Sequence, residues 1–224
     1  MTGLKATDLL GSPIRAADGD AGTVSDILFE DQSLAIRWVV MRTGSWLSEE
    51  QVLVMPQNLI RSETAPRIWE TWLTIDDFRK ARPLEDDLPV SVQRLREAKV
   101  ESGILPFRIA PLGMPPVVRM HSWPTGDRNL RSISHVTSYD ILTDSGTVGR
   151  VANFIIALPE WTITKIEISQ SDDQGAQSQD LKQPLRIDAD RRVVDLRDVA
   201  RKAATLHDQG SSGSLKAGRR PFGH

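Results

Sequence analysis

Asp18-Gly19-Asp20-Ala21-Gly22, followed by Asp26, is the stretch whose residue types come nearest to a metal-binding loop. A calcium loop of the EF-hand kind needs acidic ligands at alternate positions, glycine at the sixth and a bidentate glutamate at the twelfth. Those two positions hold Thr23 and Phe29, so the stretch reads instead as a hairpin turn in which Gly19 takes a positive φ. The four histidines, His121, His135, His207 and His224, show no His-x-x-x-His spacing, and a zinc site would need distant groups to converge. Glu85-Asp86-Asp87 could do acid–base work only in a cleft that shifts one pKa; between Pro83 and Pro89 it reads as a solvated loop. Neither phosphate-cradling glycine motif is present, and Gly210–Ser214 lies in a flexible tail, not on a strand–helix elbow. The absence of cysteine excludes disulfides, thiolate catalysis and Cys-ligated metal centres. These residues imply no catalytic group, no cofactor and no metal.

The rest of the composition narrows the partners. Lys and Arg number 28 against 30 Asp and Glu, a formal charge of −2 over 224 residues, where a nucleic-acid-binding domain would be strongly basic. A local basic patch is still compatible with that balance, and Lys216, Arg219 and Arg220 form a small one in the tail. The longest largely apolar stretch, Ala35–Met41, is far short of the roughly 20 residues of a membrane helix. The N-terminus lacks the apolar core of a signal peptide, so the expected location is cytoplasmic. Six tryptophans accompany a single tyrosine. Most are expected in the core, but Trp46 and Trp123, flanked by Gly, Ser and Pro, are expected to be partly exposed. Together with Phe107 and Met114 they are the candidate partner surface.

The elements that must position these residues are short. Ile14–Ala17, Gly22–Phe29, Leu34–Met41, Gln51–Met55 and Trp69–Thr74 alternate or are rich in β-branched residues, with turn signals about every ten residues. In the third of these, Leu34, Ile36, Trp38 and Val40 should share one face. Thr74 fits an N-cap, with Asp76 and Asp77 in the first turn of a helix over Ile75–Ala81 that Pro83 stops. Ser91–Val100 has helical spacing. Ile104–Pro124 then carries five prolines, which forbid regular helix, beside enough apolar residues that it should pack along the surface.

The two halves look like copies. Gly22–Phe29 aligns with Gly149–Ile156, each after an Asp–Gly-type turn, and Ala35–Val40 then aligns with Thr162–Glu167. Leu73–Phe78 aligns with Val194–Val199. The second copy departs at Ser169–Gln183, a stretch rich in Ser, Asp, Gln and Gly that is expected to be a solvated, mobile loop.

Leu10-Gly11-Ser12-Pro13-Ile14, Asp18-Gly19, Gly22-Thr23-Val24-Ser25-Asp26, Ile36-Arg37-Trp38-Val39-Val40, Ser45-Trp46-Leu47 and Val52-Leu53-Val54, in that order, resemble the PRC-barrel pattern. The resemblance covers residues 6–82 well and 132–204 loosely. It implies a mainly β fold of two tandem small antiparallel PRC-like β-barrels with short helices and a proline-rich connector. The expected divisions are 1–83, a connector over 84–131, a degenerate second barrel over 132–208 and a disordered tail over 209–224. It also implies a non-enzymatic interaction or assembly module. The apolar connector should pack on the barrels and present one composite surface to a protein partner; the alternative is that its apolar residues are exposed and bury in a homodimer or partner. Two rivals are an RNA- or ribosome-associated factor, which needs a basic surface, and an enzyme with a site at the barrel interface, which needs a deep polar cleft.

Overall fold

Described here are residues 3–44, 50–101, 127–170, 176–181 and 184–197 of a computed structural model, with the backbone alone for 96–101. β1 (Leu4–Lys5) and the one-turn α1 (Ala6–Leu9) precede β2 (Pro13–Ala16), β3 (Gly19–Glu30), β4 (Ile36–Thr43), β5 (Glu50–Val54), β6 (Ile60–Arg61) and β7 (Trp69–Glu70). The first half ends with α2 (Ile75–Arg79) and α3 (Val90–Glu101). The second half runs β8 (Leu130–Ser132), α4 (Ile133–Val136), β9 (Asp140–Thr143), β10 (Gly146–Ala157), β11 (Thr162–Ser169), β12 (Gln177–Asp180), β13 (Arg186–Asp188) and β14 (Val193–Asp195). Thr74 caps α2 as expected, in a capping box with Asp77.

The chain is mainly β, but the strands form two open, mixed sheets rather than closed antiparallel barrels. The first has the order β5-β4-β3-β2-β7-β6 and the second β12-β11-β10-β9-β14-β13. The departure comes from the last strands of each half. β6 and β7 make their own hairpin, and its second strand lies parallel to β2 with Trp69 opposite Ile14. β14 lies parallel to β9 in the same way, with Val194 opposite Ile141. The common register makes Val194 the counterpart of Trp69, so the sequence alignment of Val194 with Leu73 is four residues out.

Elsewhere the two halves agree at a constant spacing of 127 positions. Gly22 and Gly149 both have left-handed φ, 140° and 152°. A Cβ at either would overlap a carbonyl oxygen of the neighbouring strand, that of Arg42 or Ser169, so glycine is the residue that lets the strands close. Bulges follow at Val24/Asp26 and Val151/Asn153, and again at Leu28/Phe29 and Ile155/Ile156. The second bulge overturns the expected face of β4. Leu28 pairs with Trp38 but Phe29 with Ile36, which leaves Arg37 as an extra residue. Ile36 therefore joins Val39 and Met41 in the main core, while Trp38 and Val40 turn to a smaller cluster with Leu28, Leu53 and Leu130.

Each half lends its first elements to the other. β1 pairs with β10, placing Lys5 opposite Ile155, and β8 pairs with β3, placing Ser132 opposite Leu28. Between the sheets Ala35 bridges Thr162, with Ile36 N–H donating to the Trp161 carbonyl and Ile163 N–H to that of Leu34. Leu34 and Trp161, both with left-handed φ, flank this point symmetrically. One core cluster draws residues from both halves. Phe29 meets Phe154 and Trp69 meets Trp161, each pair with ring centroids 5.6 Å apart.

Two expected lengths change. Trp69–Thr74 yields only the two residues of β7, and Ser169–Gln183, expected as a loop throughout, contains the strand β12. Every residue of β12 is exposed. An edge strand wet on both faces needs no apolar residues, and backbone pairing to β11 with the Lys165–Asp180 ion pair suffices to seat it.

Candidate interaction surface

Arg37, the bulged residue of β4, gathers carboxylates from three parts of the chain. Its guanidinium is 2.5 Å from both Glu30 and Asp127 and 3.3 Å from Asp87, while Trp38 Nε1 donates to the same Asp87 at 2.7 Å. The guanidinium is partly buried, which by itself opposes its charge; the bonds to Glu30 and Asp127 outweigh this and raise its pKa. Arg37 and Ser33 hold Glu30 below its ordinary value. The Asn129 backbone N–H, with Arg37 second, does so for Asp127. Asp87 and Asp127 lie near the two ends of the connector, so one side chain ties both ends down. Of Glu85-Asp86-Asp87, expected as a plain loop, the first two lie in a 3-10 turn over Leu84–Asp86, and Asp87, which follows it, supplies the carboxylate used in this way.

Asp31, only 3% exposed, accepts from Arg131 Nε at 2.7 Å. Burial pushes its carboxyl up, with Arg131 opposing. Among the described residues no three His, Asp or Glu are placed to hold a metal ion; the convergent carboxylates close on arginine. His135, the one described histidine, sits exposed in α4.

Beside this cluster the surface of the first half opens into a groove of about 410 Å³. Trp38, Leu53, Met55, Leu73 and Phe78 give it an apolar floor, and Arg82 and Asp77 stand at its margin. Arg82 also lies over the Trp38 ring, 5.9 Å from its centroid. A more polar cleft of about 640 Å³, with Arg42, Arg79, Glu50 and Glu85 in its walls, shares Ala81 with the groove. Met55 is 55% exposed, Ile60 63% and Trp72 68%.

The sequence-derived surface residues Trp46, Trp123, Phe107 and Met114 all lie outside the described residues. Of the tryptophans that are described, Trp69 and Trp161 are buried, Trp38 is half-buried and Trp72 is the exposed one. Strand parity carried a signal for it. Trp72 shares the parity of Glu70, the polar side of that stretch, whereas Trp69 shares that of the buried Thr71. Met55 carried none, because it ends the apolar run Val52–Met55 and looks like its continuation.

No family model and no curated protein matches the chain. Among the described residues no helix is long and apolar enough to cross a membrane.

Proposed function

We propose that the chain is a non-enzymatic interaction module of the PRC-barrel type and that its first half binds an apolar segment of a protein partner. The observation that carries this reading is the groove floored by Trp38, Leu53, Met55, Leu73 and Phe78, with the exposed Trp72 next in sequence to Leu73. Large apolar side chains held open to water beside a groove favour a partner that covers them. The paired glycines Gly19 and Gly22, the β3–β4 hairpin and β5 follow the order of the PRC pattern, which supports the family reading. Trp46, Trp123, Phe107 and Met114 are proposed as partner-surface residues on sequence grounds alone. The net charge of −2 favours a protein partner over RNA.

Affinity capture from extract of the native host, run in parallel with wild-type and Met55→Asp baits, tests this. Both baits should be equally stable, since Met55 is largely exposed. A protein retained by wild-type, lost with Met55→Asp and indifferent to ribonuclease is the expected result. Identical retention by both baits, or retention that disappears with ribonuclease, refutes it.

A further inference from the structure

We propose, resting on the groove as a binding surface, that its resident occupant is the chain's own connector, through residues 117–123, and that an outside partner binds by displacing them. The return end of the connector is fixed beside the groove. Asp127 lies 2.5 Å from Arg37, and the adjacent Trp38, part of the groove floor, donates its indole N–H to Asp87 on the same guanidinium. The outgoing end is carried elsewhere. α3 leaves this point with Gln93 donating to the Asp127 carbonyl at 3.4 Å, and Arg94 then pairs with Asp190 of the second half. The end of α3 is eight residues beyond Gln93, roughly 12 Å of helix. Of the 25 residues between Glu101 and Asp127, those tethered closest to the groove are therefore the last ones.

Those last residues have the composition that an apolar groove takes: Val117, Val118, Met120 and Trp123, with no acidic residue between Val117 and Asp127. Trp123 is four residues from Asp127, about 14 Å of fully extended chain, and Val117 is ten residues away, about 35 Å. Both lengths reach a groove that begins at the residue next to Arg37. A segment tethered this closely meets the groove at an effective concentration on the order of millimolar, against which a free partner must compete. The groove offers the matching surface, an apolar floor with Met55 in its lining more than half exposed. Displacement by a partner would also free Trp123, so one binding event exchanges one apolar surface for another.

Photo-cross-linking of the purified full chain tests this with no partner present. The protein contains no cysteine, so Met55→Cys provides a single thiol for a benzophenone maleimide. Irradiation of the dilute protein should join position 55 to residues 117–123 of the same chain, as mapped by peptide mass spectrometry. Cross-links only to other parts of the chain, only to a second copy, or to nothing overturn the proposal. A second measurement leaves Met55 in place. Dilute peroxide should oxidise Met55 several-fold more slowly in the wild type than in a variant carrying Val117→Ser, Val118→Ser, Met120→Ser and Trp123→Ser. The fully buried Met41 reports folding and should stay protected in both. Equal Met55 rates with Met41 protected overturn the proposal as well; if Met41 loses protection in the variant, the cross-link decides. Neither readout involves an outside partner. A failed cross-link beside a partner still captured through Met55 removes the self-occupancy alone, and a cross-link with nothing captured removes the partner alone.

Discussion

Asp26 and Asn153 stand 127 positions apart and hold the same junction from opposite sides. Asp26 receives Ser132 Oγ and Ser134 N–H from the start of α4, and Asn153 receives Thr7 N–H, at 3.3 Å, while donating to Thr7 Oγ1 at 2.8 Å. Both also accept the N–H of the next residue, Ile27 or Phe154. In each half the side chain lies just after a bulge, which turns it out of the ladder and toward the other half.

The pair makes a direct substitution test. Asp26→Ala leaves the proton of the buried Ser132 hydroxyl without its acceptor, although the oxygen still accepts from His135 N–H, and should cost about 1–3 kcal/mol in urea unfolding. Asp26→Asn should cost clearly less, because Asn153 already shows that an amide serves this junction. Equal losses for Asp26→Ala and Asp26→Asn would contradict the equivalence.

Glycine substitutions separate conformational strain from overlap. Gly11 has φ +75° with open space around a Cβ, so Gly11→Ala should cost about 1 kcal/mol. Gly22→Ala adds overlap with the Arg42 carbonyl and should cost at least about 2 kcal/mol more. Thermal or urea unfolding of the two variants side by side measures the difference.

Acid should loosen the Arg37 cluster. Glu30 is held below its ordinary 4.5 and Asp127 below 3.8, so each binds a proton less readily folded than unfolded. Their contribution is complete above those ordinary values and is lost as pH falls through the lowered folded ones. Asp31, raised by burial, has the opposite sign: its proton favours the folded state, so its share of stability declines as pH rises through 3.8 and above. The share of stability held by Glu30 and Asp127 should therefore fall below about pH 4.5, against the opposite trend of Asp31. Arg37→Met should make that fall shallower; an unchanged acid limb would show that the cluster carries none of it.

Much of this arrangement was legible in the sequence because it rests on local signals. The Thr74 cap and the Gly19 turn each depend on residues within a few positions of one another, and the spacing of 127 shows because such local patterns recur in both halves. The exchange of β1 and β8 was not legible. Two- and three-residue strands are too short to show a period, and their partners lie a hundred residues or more away. The clamp at Arg37 was hidden for the same reason, since Asp87 and Asp127 are ordinary loop carboxylates until β4 bulges between them. The C-terminal alignment slipped because Trp69 and Val194 occupy one position of the fold with side chains of very different size.

The protein contains no cysteine, so the double variant Ala35→Cys/Thr162→Cys carries two thiols and no others. These residues form an antiparallel bridge whose hydrogen bonds come from their neighbours, the closer of the two cross-strand geometries and one within the reach of a disulfide. Mass spectrometry of the dilute variant after mild oxidation should find one chain lighter by two hydrogens with no free thiol. Thiols that stay free in the folded protein would contradict the exchange of elements about Ala35 and Thr162 on which the whole account rests.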